Sequence, residues 1–275
     1  MKIELLTSDD IKTAMRLVEI AGWNQTYTDW QRIISYEPTG CFKAVLDDRL
    51  VGTVTTTSYE SKIGWIGMML VDPDYRRRGI GSVLMQSAID YLKSINTDCI
   101  WLDATPMGLS VYERLGFQSL YSFHRWHLSC ACFNKQIKSK FDRFTQINLH
   151  SYHQVLDRRL FGYDRFDYIE RLRKDSTLIA SQKGFGMIRQ GRIANYLGPL
   201  VAENIDVAID IASILLEVSE TEVFLDYPGN SALFINWLLA NKFSPVRTLT
   251  RMWLGNQTEK EMFQMQYAIS DPATG

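Results

Sequence analysis

No apolar run in the chain approaches the roughly 20 residues that a membrane span needs, so no membrane partner is expected. The start, MKIELLTSDD, lacks the basic-then-apolar layout of a secretory signal, and a cytoplasmic setting is expected. An excess of one charge is also missing: 30 Lys and Arg face 31 Asp and Glu, so no global field draws in nucleic acid. Aromatics interleaved with a basic patch are absent too, which removes the usual single-strand platform. Cysteine is scarce. Cys41, Cys99, Cys130 and Cys132 form no metal-type spacing with the four histidines, and Cys130 and Cys132, one residue apart, suit zinc poorly without a second pair. They read as reduced thiols, with no metal expected.

At 275 residues and 46% hydrophobic composition, the chain can bury two ordinary cores. Lys2 to Leu6 reads as a strand, and Ser8 with Asp9 and Asp10 opens a helix whose apolar face is Ile11, Ala14, Val18 and Ala21, ended by Gly22. Thr28 with Gln31 has the spacing of a capping box for a second helix through Tyr36. Residues 41–46, 50–58 and 63–71 predict an antiparallel meander. Ile80, Val83, Leu84, Ala88 and Leu92 mark the next helix. A strand at 99–104, a short helix at 106–115 and a last strand at 118–128 complete a mixed α/β domain.

A weak internal repeat follows. Cys99 to Leu128 and Glu222 to Leu254 each contain a strand ending in Leu-Asp, a Pro/Gly turn, a helix, a Phe and a closing strand carrying Arg and Trp. Phe117 maps to Phe243 and Arg125 to Arg251, one shift of 126 residues, and IGMMLV maps to YLGPLV. The expected domains are therefore 1–128 and 144–256, joined by a lysine-bearing linker at 129–143 and followed by a tail at 257–275.

The two copies differ at one place. In the first, the strand runs into VDPDYRRRGIGSVLM; in the second, AENIDVAIDIASIL starts a helix with no glycine pair and no arginine. Closely spaced glycines before a helix let successive amides face one anion, and the helix dipole adds to the attraction. A dinucleotide fingerprint is excluded because Leu84 stands where its third glycine belongs, and a P-loop because Gly-Lys-Ser/Thr is absent. What remains is Arg-x-x-Gly-x-Gly, Arg76 to Gly81.

This motif resembles the pyrophosphate loop of the GCN5-related N-acetyltransferases (GNAT). LDATPMGLSVYERLGF resembles the matching segment of two-domain members whose second acetyltransferase-like domain is degenerate, and AGWNQTYTDW their α1 to α2 region. The resemblance implies an α/β (α+β) architecture of tandem GNAT folds, each a mixed, mostly antiparallel sheet flanked by helices. It implies acetyl-CoA as co-substrate, held by the backbone of Met69, Leu70 and Val71 and by Arg76, Arg77, Arg78, Gly79, Ile80, Gly81 and Ser82. Direct transfer to an amine is implied, with amides near Met69 or Leu70 holding the oxyanion and Tyr112 as general acid.

Where some members carry a glutamate, this chain has Trp65, so the base is open among Glu60, Asp103 and His124. A cap for the next helix is the plain structural alternative for Asp103. Trp23, Asn24 and Gln25, with Asp103, are the expected acceptor-side residues, an aromatic and amide mixture suited to a small-molecule amine. Trp23 and Trp30, seven apart, fit a core stripe equally well. An acyl-CoA sensor and a protein lysine or N-terminal acetyltransferase are the alternatives, and the chain is expected as a monomer or homodimer.

Overall fold

The computed structural model describes residues 1–129, 149–219, 221–256 and 265–275. The expected linker, apart from Ser129, lies outside the described residues, as do Cys130, Cys132 and residues 257–264 of the expected tail. The chain forms two compact units of mixed α/β structure.

The first unit starts with β1 (Lys2–Leu5), α1 (Ile11–Ala21) and α2 (Tyr27–Tyr36). Ile11, Ala14, Leu17 and Val18 form the buried stripe of α1, and Gly22 ends it in the left-handed conformation that glycine adopts without a Cβ penalty. The capping box of α2 lies two residues earlier than the Thr28–Gln31 spacing predicts. Thr26 Oγ1 accepts from the Asp29 amide, while the Asp29 carboxylate accepts from the Thr26 amide at 2.8 Å. Asp29 prevails because its carboxylate also binds the Arg32 guanidinium at 2.8 Å.

The meander β2 (Phe42–Leu46), β3 (Arg49–Tyr59) and β4 (Ile63–Val71) follows, then α3 (Ile80–Ser94), β5 (Cys99–Ala104) and α4 (Leu109–Arg114). Strands β1 to β4 pair antiparallel in order, and β5 joins β4 in parallel. The sheet buries both faces. One packs Ile66, Leu102 and Ala44 on Leu84 and Ala88 of α3; the other packs Leu50, Met68 and Leu70 on α1 and α2.

The second unit contains β6 (Gln118–Leu128) from Tyr121 onward, then α5 (Ser151–Phe161), α6 (Phe166–Arg173), β7 (Ser176–Ser181), β8 (Gly184–Arg189) and β9 (Asn195–Ala202). It continues through α7 (Ile205–Glu217), β10 (Val223–Tyr227), α8 (Ala232–Ala240), the first half of β11 (Ser244–Gly255) and β12 (Gln266–Ala268). Here β7, β8 and β9 pair antiparallel, and β10 joins β9 in parallel. The apolar stripe of α7, Ala208, Ile211, Ala212 and Leu215, packs on this sheet.

The expected boundaries at 128 and 256 do not describe this division. The closing strands are exchanged: β6 pairs with β10, and Thr250–Gly255 of β11 pairs with β5. Residues 272–275 also belong to the first unit. Each exchanged strand carries an arginine to the Leu-Asp strand of the other repeat. Arg251 binds both oxygens of Asp103 at 2.9 and 3.0 Å, and Arg125 binds both oxygens of Asp226 at 2.9 and 2.7 Å. A buried carboxylate needs such a partner, and repeats of similar sequence let either copy supply it.

Candidate functional site

Strand β4 is broken twice in a way that makes a site. Its pairing with β5 runs from Ile63 to Trp65 only, opposite Cys99 to Trp101; past Trp65 the two strands separate, and β5 continues alongside β11. On its other edge, three β4 steps from Gly67 to Leu70 oppose two β3 steps from Thr55 to Thr53, a β-bulge. Met68 sits in that bulge at φ 47°, an uncommon conformation for a residue with a side chain. Thr53 Oγ1 donates to the Met68 carbonyl at 2.9 Å. Since carbonyl and amide of one trans peptide plane point opposite ways, the Met69 N–H is turned away from Thr53.

The loop after β4 is shaped by its own side chains. Asp72 accepts from the Asp74 amide at 3.1 Å, starting the single 3₁₀ turn Pro73–Tyr75, and also binds Arg16 at 2.6 Å. Burial pulls the Asp72 carboxyl up, but the Arg16 hydrogen bond, the Asp74 amide and the charges of Arg16 and Arg76 outweigh it and hold the group below its usual range. Arg77 and Gly79 then adopt positive φ, 61° and 79°. Among the described residues, the amides of Arg77 to Ser82 donate to no backbone carbonyl, the first helical acceptor being Gly79 O to Val83 N. Six consecutive unclaimed amides at a helix start suit a phosphate group. Gly81 keeps the approach narrow, since a Cβ there would lie 3.3 Å from Met69 Cε.

The three arginines play different parts. Arg76 Nε donates back to the Val71 carbonyl at 3.0 Å, pinning the loop to the end of β4. Arg78 donates to Asp74 O and lies over the Tyr75 ring at 5.2 Å. No hydrogen bond holds the Arg77 side chain among the described residues.

Tyr112 lies on α4, its ring edge-on to Phe117 at 6.2 Å. Burial pushes its phenol up to about 12, and its hydroxyl has no hydrogen-bond partner among the described residues. It is therefore a protonated donor at neutral pH.

The acceptor-side expectations fare unevenly. Asn24 and Gln25 are buried in the α1 to α2 connection, Trp23 is half-buried against the core, and Trp30 is fully inside it. Asp103, expected at the acceptor or as a base, is taken by Arg251 on both oxygens, with both side chains fully buried. Arg251 in turn stacks over Trp65 at 4.7 Å and Trp101 at 5.8 Å. Glu60 is exposed at the β3 to β4 turn, and His124 lies in the second unit beside Thr248, 3.3 Å away. Sequence reasoning missed Arg251 in this role, although its alignment with Arg125 was the available signal.

The second unit has the same geography with each feature closed. Its parallel pairing ends at Tyr196 opposite Phe224, and β9 is bulged between Leu197 and Leu200. There, however, β12 fills the gap, pairing Gln266 with Val201 and Ala268 with Leu200. Pro199 at the bulge has no N–H to offer. Asn204 caps α7 directly, its side chain accepting from the Val207 amide at 3.1 Å.

Comparison with known proteins finds one family match in each repeat. Residues 9–117 match the acetyltransferase (GNAT) family, and residues 154–268 match an acetyltransferase (GNAT) domain. The chain is 25% identical over 259 residues to holothin acyltransferase of Pseudoalteromonas sp., covering 90% of this chain and 86% of that one. A Pyrococcus horikoshii protein described as an acetyltransferase superposes with a TM-score of 0.88 at 26% identity, covering 100% of this chain and 95% of its own. A tandem GNAT protein from the clavulanic acid biosynthesis pathway shares the fold, with a TM-score of 0.69 at 12% identity over 94% of this chain and 99% of its own.

Proposed function

The chain belongs to the acetyltransferase (GNAT) family, and on that footing we propose that its first unit binds one acetyl-CoA and transfers the acetyl group to the amine of a small molecule. The observation that carries the reading is the contrast at the two splayed strands: among the described residues, β4 past Trp65 pairs with no strand on its β5 side and lies beside six amides that donate to no backbone carbonyl, whereas β9 is paired with β12. The second unit then acts as a scaffold.

Acetyl-CoA supplies an activated acyl carbon and a sulfur leaving group. Its pyrophosphate suits the amides of Arg77 to Ser82, and its amide arm suits the edge of Met69 to Val71 as an added strand would. The Met69 N–H, turned from Thr53, stands ready for the carbonyl oxygen as charge builds on it, a contact of about 3 kcal/mol in comparable sites. The amine nitrogen bonds to the acyl carbon and the carbon–sulfur bond breaks. Tyr112 gives its proton to the departing sulfur, and the amine's surplus proton passes to water.

A small acceptor is favoured by the buried amides of Asn24 and Gln25 beside the half-buried Trp23 in the α1 to α2 connection, a mixture that suits a compact polar amine. Thiol release from acetyl-CoA tests this, with small amines on one arm and long peptides or intact proteins on the other. Turnover of small amines is expected. Preference for long peptides would overturn the acceptor class, and binding of acetyl-CoA with no release from any amine would make the protein a sensor.

A further inference from the structure

Residues 272–275 run along the face of the first unit that carries Thr53, Thr55, Thr57 and Tyr59 of β3. That face looks toward α2, as the Tyr36–Tyr59 ring contact at 6.1 Å shows. Ala273 lies flush on Gly67, where a Cβ would meet its Cα at 2.7 Å, and Gly275 lies on the Trp65 ring, where its own Cβ would come within 2.7 Å. The segment therefore runs antiparallel to β4. It is gripped by its carbonyls: Trp65 Nε1 donates to Pro272 O at 3.1 Å, and the Tyr59 hydroxyl donates to Thr274 O at 2.7 Å.

Under it lie polar groups with nothing to bind. Thr55 is opposite Gly67 and Thr57 opposite Trp65 in the β3 to β4 register. Both hydroxyls are fully buried without a hydrogen-bond partner among the described residues, and so are the Thr274 hydroxyl and the Trp30 indole N–H. Trp30 packs in one cluster with Met68 and Ala273. A buried polar atom without a partner keeps its full desolvation cost, and folded proteins contain few. Two such hydroxyls beneath one short segment, Thr55 and Thr57, mark a place built for another occupant.

Resting on the transfer reaction above, we propose that this groove is the acceptor site and that residues 272–275 hold it in the acceptor's absence. The occupant shows what the groove reads. Two donors, an indole N–H and a phenol O–H, receive carbonyl oxygens, and the Thr55 and Thr57 hydroxyls add further hydrogen bonds once the segment lifts. The acceptor is thus a small amine bearing one or two carbonyl or carboxylate oxygens, such as an amino-acid amide or a dipeptide. Gly67 is two residues from Met69, so an amine seated there stands beside the splay. A plain alkylamine or polyamine brings no oxygen to these donors.

The test follows thiol release from acetyl-CoA with glycinamide and alanylglycine against n-butylamine and putrescine, using the full chain and its T55V, T57V and A273L variants. The carbonyl-bearing amines are expected to show at least about tenfold higher kcat/KM. T55V and T57V should each raise the acceptor KM several-fold while the melting temperature holds or rises and the calorimetric Kd for acetyl-CoA stays unchanged. A273L, too large to lie on Gly67, should lower the acceptor KM.

Equal use of the alkylamines would overturn the proposal. A raised melting temperature with unaltered KM in both threonine variants, a raised KM in A273L, or bound acetyl-CoA with no turnover of any of the four amines would do the same. If A273L fails to fold, the threonine pair still decides. Failure to bind acetyl-CoA would instead remove the transfer reading on which the proposal rests.

Discussion

The two units solve the same structural problem and reach opposite outcomes. Each has a parallel strand pair that parts after one aromatic residue, Trp65 in one and Tyr196 in the other, and each stacks an exchanged arginine on that aromatic. In the first unit the parted strand keeps an edge unpaired among the described residues and leads through an eight-residue loop into α3, whose starting amides donate to no backbone carbonyl among those residues. In the second, β12 takes the edge, Pro199 removes a donor, and Asn204 satisfies the helix start within the chain. The splay is thus a product of the fold, while the proposed function depends on leaving its hydrogen-bonding groups unpaired. A group that is satisfied internally stabilises the fold; one left open can hold a ligand.

What the units share should give the strongest response to mutation. Arg251→Met and Arg125→Met each leave a buried aspartate uncompensated, and each is expected to cost about 3–5 kcal/mol in denaturant unfolding. If one variant is near neutral, the two units are not built alike. The divergent part comes next. Gly79→Val places a branched side chain at φ 79°, and a roughly hundredfold weaker acetyl-CoA Kd, about 2.7 kcal/mol, is expected by calorimetry. Asn204→Ala, at the matching helix start, should leave that Kd unaltered while costing about 1 kcal/mol of stability.

Tyr112→Phe should lower kcat at least about tenfold with little change in the Kd for acetyl-CoA. The weakest signal is the pH profile. With the Tyr112 phenol pushed up to about 12 by burial, the acid stays protonated from pH 7 to about 10, so no falling limb should appear there. The sign for stability agrees: the raised value favours folding fully below the unfolded pKa near 10, and this contribution fades as pH rises toward 12. A kcat decline centred below about pH 9 would assign the proton to another group.

Much of this was legible in the sequence because it is local. The meander, α3, β5 and β6 follow from apolar periodicity and turn residues, and Arg76 to Ser82 announce themselves by glycine spacing. The repeat was visible in Arg125 and Arg251, yet the exchange was not. A strand's pattern says which face it buries, and β6 and β11 bury similar faces, so nothing local distinguishes the two pairings. The same limit hid β12 and residues 272–275, whose short stretches carry no periodicity and take their meaning from the strands they meet. The Arg251 pairing of Asp103 is hidden for a related reason: the two residues lie 148 positions apart.

The proposed division of labour, one copy binding acetyl-CoA and the other unable to, is read out by isothermal titration of the full chain with acetyl-CoA. One molecule bound per chain, with binding weakened about hundredfold in Gly79→Val and kept in Asn204→Ala, is the outcome expected. Two molecules per chain, or none, would overturn it.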